Sequence, residues 1–188
     1  MTIHQLSVNY QLAQDRILVQ ISTHSGEALR LWLTRRLVNN LFPHLNQAAT
    51  NAEISNSQLA VHDDLAKKML MEFKKQASID QGDFKTPFKT DATVFPVGAE
   101  PLLVTSINLT PAGNGALRIG FEEKLTETIQ PRGFQVIMES SLLHSFMHLL
   151  ESAIKVSGWG VLQLSGQNTT KEDADEKPRP ADPVRYLN

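Results

Sequence analysis

Leu29-Arg30-Leu31-Trp32-Leu33-Thr34-Arg35-Arg36-Leu37-Val38-Asn39-Asn40-Leu41-Phe42 changes its apolar period in the middle. Leu29, Leu31 and Leu33 alternate, which puts them on one face of a strand. Leu37, Val38, Leu41 and then Leu45 recur at three and four, as on one face of a helix. Thr34 stands at the switch, where a hydroxyl can cap exposed helix amides. The pattern returns as Phe134-Gln135-Val136-Ile137-Met138-Glu139-Ser140-Ser141-Leu142-Leu143-His144-Ser145-Phe146-Met147. With Leu29 set over Phe134, Leu29/Leu31/Leu33 fall on Phe134/Val136/Met138. Leu37/Val38/Leu41/Phe42 then fall on Leu142/Leu143/Phe146/Met147 without a gap.

Upstream, Leu6, Val8, Tyr10 and Leu12 alternate with polar residues, and Ile17, Val19 and Ile21 line a second strand. Ala13-Gln14-Asp15-Arg16 and His24-Ser25-Gly26-Glu27 read as turns. In the second half Leu103, Thr105, Ile107 and Leu109 alternate, Pro111 to Gly115 turns the chain, and Leu117, Ile119 and Phe121 return. Each half therefore reads strand, strand, strand, helix. A three-stranded sheet with one helix makes only a small core, and a second such unit would cover what the first leaves bare. The sequence thus predicts class α+β: internally duplicated β-β-β-α units packed as an intramolecular pseudo-dimer, with an additional connecting helix. Repeat one covers about 3–49, the connecting helix 57–78, a long loop 79–101 and repeat two 102–157, all within one globular domain over 1–164.

Pro43 lies late in the first helical pattern and predicts a kink or an early end there. Gln47 to Ser57 then reads as a connection. In the connecting helix Leu65, Met69, Leu70, Phe73 and Ala77 form the expected inward stripe, and the lysines a solvated face. Ser157-Gly158 closes the last helix, glycine being the usual residue just past the end. Gly160 to Leu164 reads as a short strand. From Ser165 to Asn188 the composition turns polar and proline-containing, which predicts a disordered tail. Val184-Arg185-Tyr186-Leu187 within it reads as a short docking motif.

The chain has 188 residues, 41% hydrophobic and 20% charged, which suits a soluble globule with a core. Its formal net charge of −2 does not favour nucleic acid or an anionic membrane through global electrostatics. The chain has 0 cysteines, which excludes disulfides, thiolate metal sites and cysteine nucleophiles. Met1-Thr2-Ile3-His4-Gln5 carries no secretory pattern, and no apolar run approaches the roughly 20 residues of a membrane span. The expectation is a cytoplasmic protein with no membrane partner.

Candidate binding residues fall in four groups. Arg30, Trp32 and Arg118 lie on the wet sheet faces, with Ile137 the repeat equivalent of Trp32. Two apolar residues on wet faces suggest a contact between sheets or protomers. Arg35 and Arg36 occupy a first helical turn, where positive charge opposes the macrodipole; the favoured reading is solvated arginines or an internal ion pair, with a bound anion such as phosphate, or Glu122, Glu123 or Glu127 of the other half, as the alternative. Phe84-Lys85 and Phe88-Lys89 interleave aromatic and basic residues, suited to pinning a long loop or to stacking on bases. His144, His148 and Glu151 share one helix face at a spacing metals use, read here as a polar surface face and only a weak metal candidate. No phosphate loop, dinucleotide fingerprint or nucleophile motif is present, so neither a cofactor nor catalysis is expected.

The tandem sheet-plus-helix order resembles that of Pur-type nucleic-acid binders, whose repeats have four strands before the helix where three are counted here. That resemblance implies a single-stranded nucleic-acid binder working through the outer sheet face. The residues themselves favour a non-enzymatic binding or adaptor module, with an unknown protein partner or self-association. A small-ligand or metal site near His144 and His148 is a third reading.

Overall fold

The computed structural model describes residues 3–56, 64–84, 86–89, 94–126 and 130–159. β1 (Ile3–Gln11), β2 (Arg16–Thr23) and β3 (Ala28–Thr34) form an antiparallel meander. A single 3₁₀ turn at Leu12–Gln14 joins the first two and closes on Asp15 in the left-handed region, at φ 47°. Ile17, Val19 and Ile21 stand opposite Leu33, Leu31 and Leu29, and all six are buried. Thr34 does cap the helix that follows: its hydroxyl oxygen accepts the Leu37 N–H at 3.3 Å.

That helix, α1 (Arg35–Asn56), runs through Pro43 and over the stretch expected to be a connection. Pro43 and Asn39 both lie on the exposed side, where the one carbonyl that proline leaves unbonded is open to water. Leu41, Phe42, Leu45, Ala49 and Ala52 keep the buried face continuous beyond it. Tertiary burial on that face outweighs the loss of one helical bond.

α2 (Asp64–Gln81) overturns its expected inward stripe. Leu65, Met69 and Phe73 are 64%, 66% and 73% exposed. Ala77 of that stripe is half-buried, the Leu70 side chain lies outside the described residues, and polar groups of α2 also meet the body. Lys75 Nζ donates to both carboxylate oxygens of Glu151 at 3.1 Å, and Ser78 is buried. An ion pair and a small side chain take part in this contact, while Leu65, Met69 and Phe73 point away from the core. Lys75 is accordingly not on a solvated face.

β4 (Leu102–Leu103) lies parallel to β3 and completes a four-stranded sheet in the order β1-β2-β3-β4. The chain then changes sheets within one residue. Val104 N–H donates to the Trp32 carbonyl at 3.1 Å, and Thr105 N–H donates to the Glu122 carbonyl at 2.8 Å. This crossing shifts the apolar phase: Leu102 and Val104 are buried, where the sequence alternation put Leu103 and Thr105 on the inward face. Glu123, itself buried, holds the crossing. One oxygen accepts the Leu103 N–H at 2.9 Å and the other is gripped by the Arg132 guanidinium, with Nε at 2.8 Å.

β5 (Ser106–Gly113), β6 (Ala116–Glu123) and β7 (Arg132–Met138) form the second, three-stranded antiparallel sheet. Gly133 sits against Phe121, whose carbonyl oxygen would lie 2.5 Å from any added Cβ. The last helix, α3 (Ser140–Ser157), ends at Gly158 in the left-handed conformation, φ 63°, as its sequence predicts.

The molecule is thus α+β, with two sheets and, among the described residues, three helices. α1 packs chiefly on β5 and β6 and also on β3, while α3 packs chiefly on β1 and also on β6 and β7. One hydrophobic cluster results, running from Leu29 and Leu31 through Phe42, Phe146 and Leu150 to Phe121 and Val136. Among the described residues no helix is long and apolar enough to cross a membrane. The expected strand over 160–164 and the tail over 165–188 lie outside the described residues.

Candidate functional site

β1 is the outermost strand of the first sheet, hydrogen-bonded to β2 on one side only among the described residues. Along its other side runs a groove of about 760 Å³. The floor is β1 from His4 to Asn9, whose alternation turns Leu6 and Val8 towards the core cluster. Leu142, Ser145 and Leu149 of α3 form one wall, and Phe84, Thr86, Pro87 and Phe88 form the other. That second wall is tied down at three places. The Phe84 ring meets His148 edge-on at 5.5 Å, Lys89 N–H donates to Gln5 Oε1 at 3.0 Å, and Asp83 accepts the Thr86 N–H at 3.0 Å. The result is a strand edge framed by apolar side chains, a surface able to pair with an added backbone.

At the far end of β1 stands a cluster that periodicity does not foreshadow. Trp159 Nε1–H and the Tyr10 hydroxyl both donate to Asp15 Oδ1, at 2.6 and 2.8 Å, and the two rings meet edge-on at 5.7 Å. The Trp159 donor, then the Tyr10 hydroxyl and then the charge of Arg35 hold the Asp15 carboxyl below its usual range. The same carboxylate, through its hydrogen bond, pushes the Tyr10 phenol up. Trp159, buried just past the α3 cap, anchors the end of that helix to the β1–β2 turn.

The structure distributes the sequence candidates rather than gathering them. Phe84, Phe88 and Lys89 line the groove, and Lys85 lies outside the described residues. Arg30 and Trp32 share the outer face of β3, where the Arg30 guanidinium stacks 4.5 Å from the Phe95 ring centroid and donates to the Ala99 carbonyl. Trp32 is half-buried, in register between Leu18 and Leu103. Arg118 is exposed on the second sheet, opposite Ile137, which is 49% exposed. Arg35 and Arg36 are exposed at the start of α1. The acid expected beside them is engaged elsewhere, Glu123 with Arg132, and Asp15 is the carboxylate that feels Arg35. Glu127 lies outside the described residues.

The His144, His148 and Glu151 face is not a polar surface. His144 is 2% exposed, His148 stacks on Phe84, and Glu151 holds Lys75. The arrival of α2 and the 82–89 segment covers this face, an event that α3's own periodicity does not encode. Among the described residues no group of three His, Asp or Glu side chains is arranged to hold a metal. Comparison with known protein families, with curated proteins and with solved structures finds no match to this chain.

Proposed function

We propose that this chain is a non-enzymatic protein-binding module that takes an extended, apolar-alternating segment as an added strand along β1. The observation that carries this reading is the groove itself, a framed strand edge rather than a flat one. Backbone pairing with β1 would supply affinity, and the apolar walls at Leu142, Leu149, Phe84 and Phe88 would select alternate side chains. The nucleic-acid alternative has less support, because Arg30 is already engaged with Phe95 and Ala99 and Arg118 lies on the other sheet.

The test is selection from random displayed peptides against the full chain, followed by titration of the enriched peptides. Selected sequences should alternate apolar and polar residues. Ser145→Arg, which places a long side chain in the groove from a half-buried helix position on its wall, should weaken them by about tenfold or more, with the melting temperature measured alongside to confirm that the fold is kept. Binding indifferent to Ser145→Arg would remove the groove from the reading. Labelled single-stranded oligonucleotide at two salt concentrations tests the alternative, since phosphate contacts weaken as salt rises.

We infer in addition that the two β-β-β-α stretches are repeats packed as a pseudo-dimer. The registers support it: Leu29, Leu31 and Leu33 face Ile21, Val19 and Ile17 as Phe134, Val136 and Met138 face Phe121, Ile119 and Leu117. Each helix also reaches the first strand of the opposite stretch, α1 on β5 and α3 on β1.

A further inference from the structure

We propose that His4 and His24 form an open site for a divalent transition metal, Cu(II) being the best-suited ion, at the Ile3 end of the first sheet. The two imidazole rings lie with their centres 4.6 Å apart and their planes inclined at 46°. The site stands apart from the strand-binding reading: His4 borders the groove, but metal binding requires no peptide.

Each ring is presented by a local departure from regular strand. Ile3 stands opposite Thr23 and Gln5 opposite Ser22, so β1 takes two steps where β2 takes one. His4 is the extra residue of that bulge, a device that re-aims a side chain. His24 is the first residue beyond β2, in a turn braced from several sides. Thr23 N–H donates to the Glu27 carbonyl at 3.0 Å, and Gly26 N–H donates to the Thr23 carbonyl at 3.1 Å. Glu27 N–H donates to Thr23 Oγ1 at 3.2 Å, and the Ser25 hydroxyl donates to Glu27 Oε2 at 3.0 Å. Ligands held by a bulge and a braced turn lose little freedom when a metal joins them.

The spacing decides which ion fits between them. A metal bonded at about 2.0–2.1 Å to one nitrogen of each ring lies about 3.2 Å from each ring centre. Ring centres 4.6 Å apart then subtend about 90° at the metal. That is the angle between adjacent positions of a tetragonal ion, whereas a tetrahedral one needs the rings about 0.6 Å further apart. Imidazole donors in tetragonal geometry select Cu(II), with Ni(II) behind it in affinity. Both histidines are exposed, and among the described residues no third His, Asp or Glu is grouped with them to bind a metal. Water therefore fills the remaining positions, which stay open to a further donor.

The test is a Cu(II) titration of the full chain, with the melting temperature and the electron paramagnetic resonance spectrum of the copper form. One equivalent should bind, raise the melting temperature and give a tetragonal spectrum with two nitrogen donors. His4→Ala and His24→Ala should each weaken binding at least tenfold, since even changes to groups behind a ligand cost about 10–100-fold. His44→Ala removes an exposed histidine of α1 and should change nothing. Unweakened binding to His24→Ala would leave the ion on His4 without its partner ring and overturn the pair. A loss from His44→Ala equal to that from His24→Ala would overturn it too, as would a spectrum with one or four nitrogen donors. The nitrogen count is read on the unaltered chain, so it decides the matter even where a variant melts early.

Discussion

Asp15 accepts two hydrogen bonds on one oxygen, from Trp159 and from Tyr10, while its backbone occupies the left-handed region that its short side chain tolerates. Both donors favour the ionised carboxylate, so its folded pKa lies below the unfolded one. The sign follows. The stabilisation is fully present above the unfolded value near about pH 4 and is lost as pH falls through the lower folded value. Asp15→Asn should therefore flatten the fall in melting temperature on acidification below about pH 4. Trp159→Phe keeps the ring and removes the leading donor. A carboxyl NMR titration should then show Asp15 moving up towards its usual value, and no movement would mean the indole bond contributes nothing. This cluster is not legible in the sequence, because its partners stand 144 residues apart and period-counting speaks only within an element. Thr34 and Gly158, by contrast, act on backbone groups three positions away, and their capping roles are readable directly.

At the scale of an element, α2 separates what periodicity can decide from what it cannot. Its helical character is evident from composition and spacing, yet the face that docks carries the ion pair to α3, while Leu65, Met69 and Phe73 face outward. Met69→Lys and Phe73→Glu should each leave stability within about 0.5 kcal/mol, as exposed substitutions do. A buried phenylalanine in the same place would cost about 3 kcal/mol or more, so one urea titration distinguishes the two orientations. Lys75→Met should cost more than either, on the order of 1–3 kcal/mol, because it strands a carboxylate that is only 14% exposed. The paired change Lys75→Met/Glu151→Gln should recover part of that loss, and strictly additive costs would show the pair to be uncoupled. The same limit explains the histidines of α3: their spacing is legible, but the cover that arrives over His144 and His148 comes from other elements. The strands fared better, since both meanders keep the alternation and the hairpin turns that the sequence predicts.

At the scale of the whole molecule, the decisive feature is that neither sheet is covered by its own helix alone. α1, which continues past Pro43, reaches β5 and β6, and α3 reaches back to β1. The strand crossing at Val104 and Thr105, fixed by Glu123 and Arg132, ties the sheets together covalently and by charge. Two sheets sharing two helices should not melt separately, because removing either helix exposes apolar surface on both. Phe42 and Phe146, 1% and 0% exposed, are the side chains through which this sharing is tested. Phe42→Ala should cost about 3–5 kcal/mol and should lower amide protection at Ile119 and Val136 of the second sheet as much as at Val19 and Leu31 of the first. Phe146→Ala should do the same in reverse. Native-state hydrogen exchange reads both sheets in one experiment. Protection lost only in the sheet that precedes each helix in sequence would describe two self-contained modules, and the shared core would have to be abandoned.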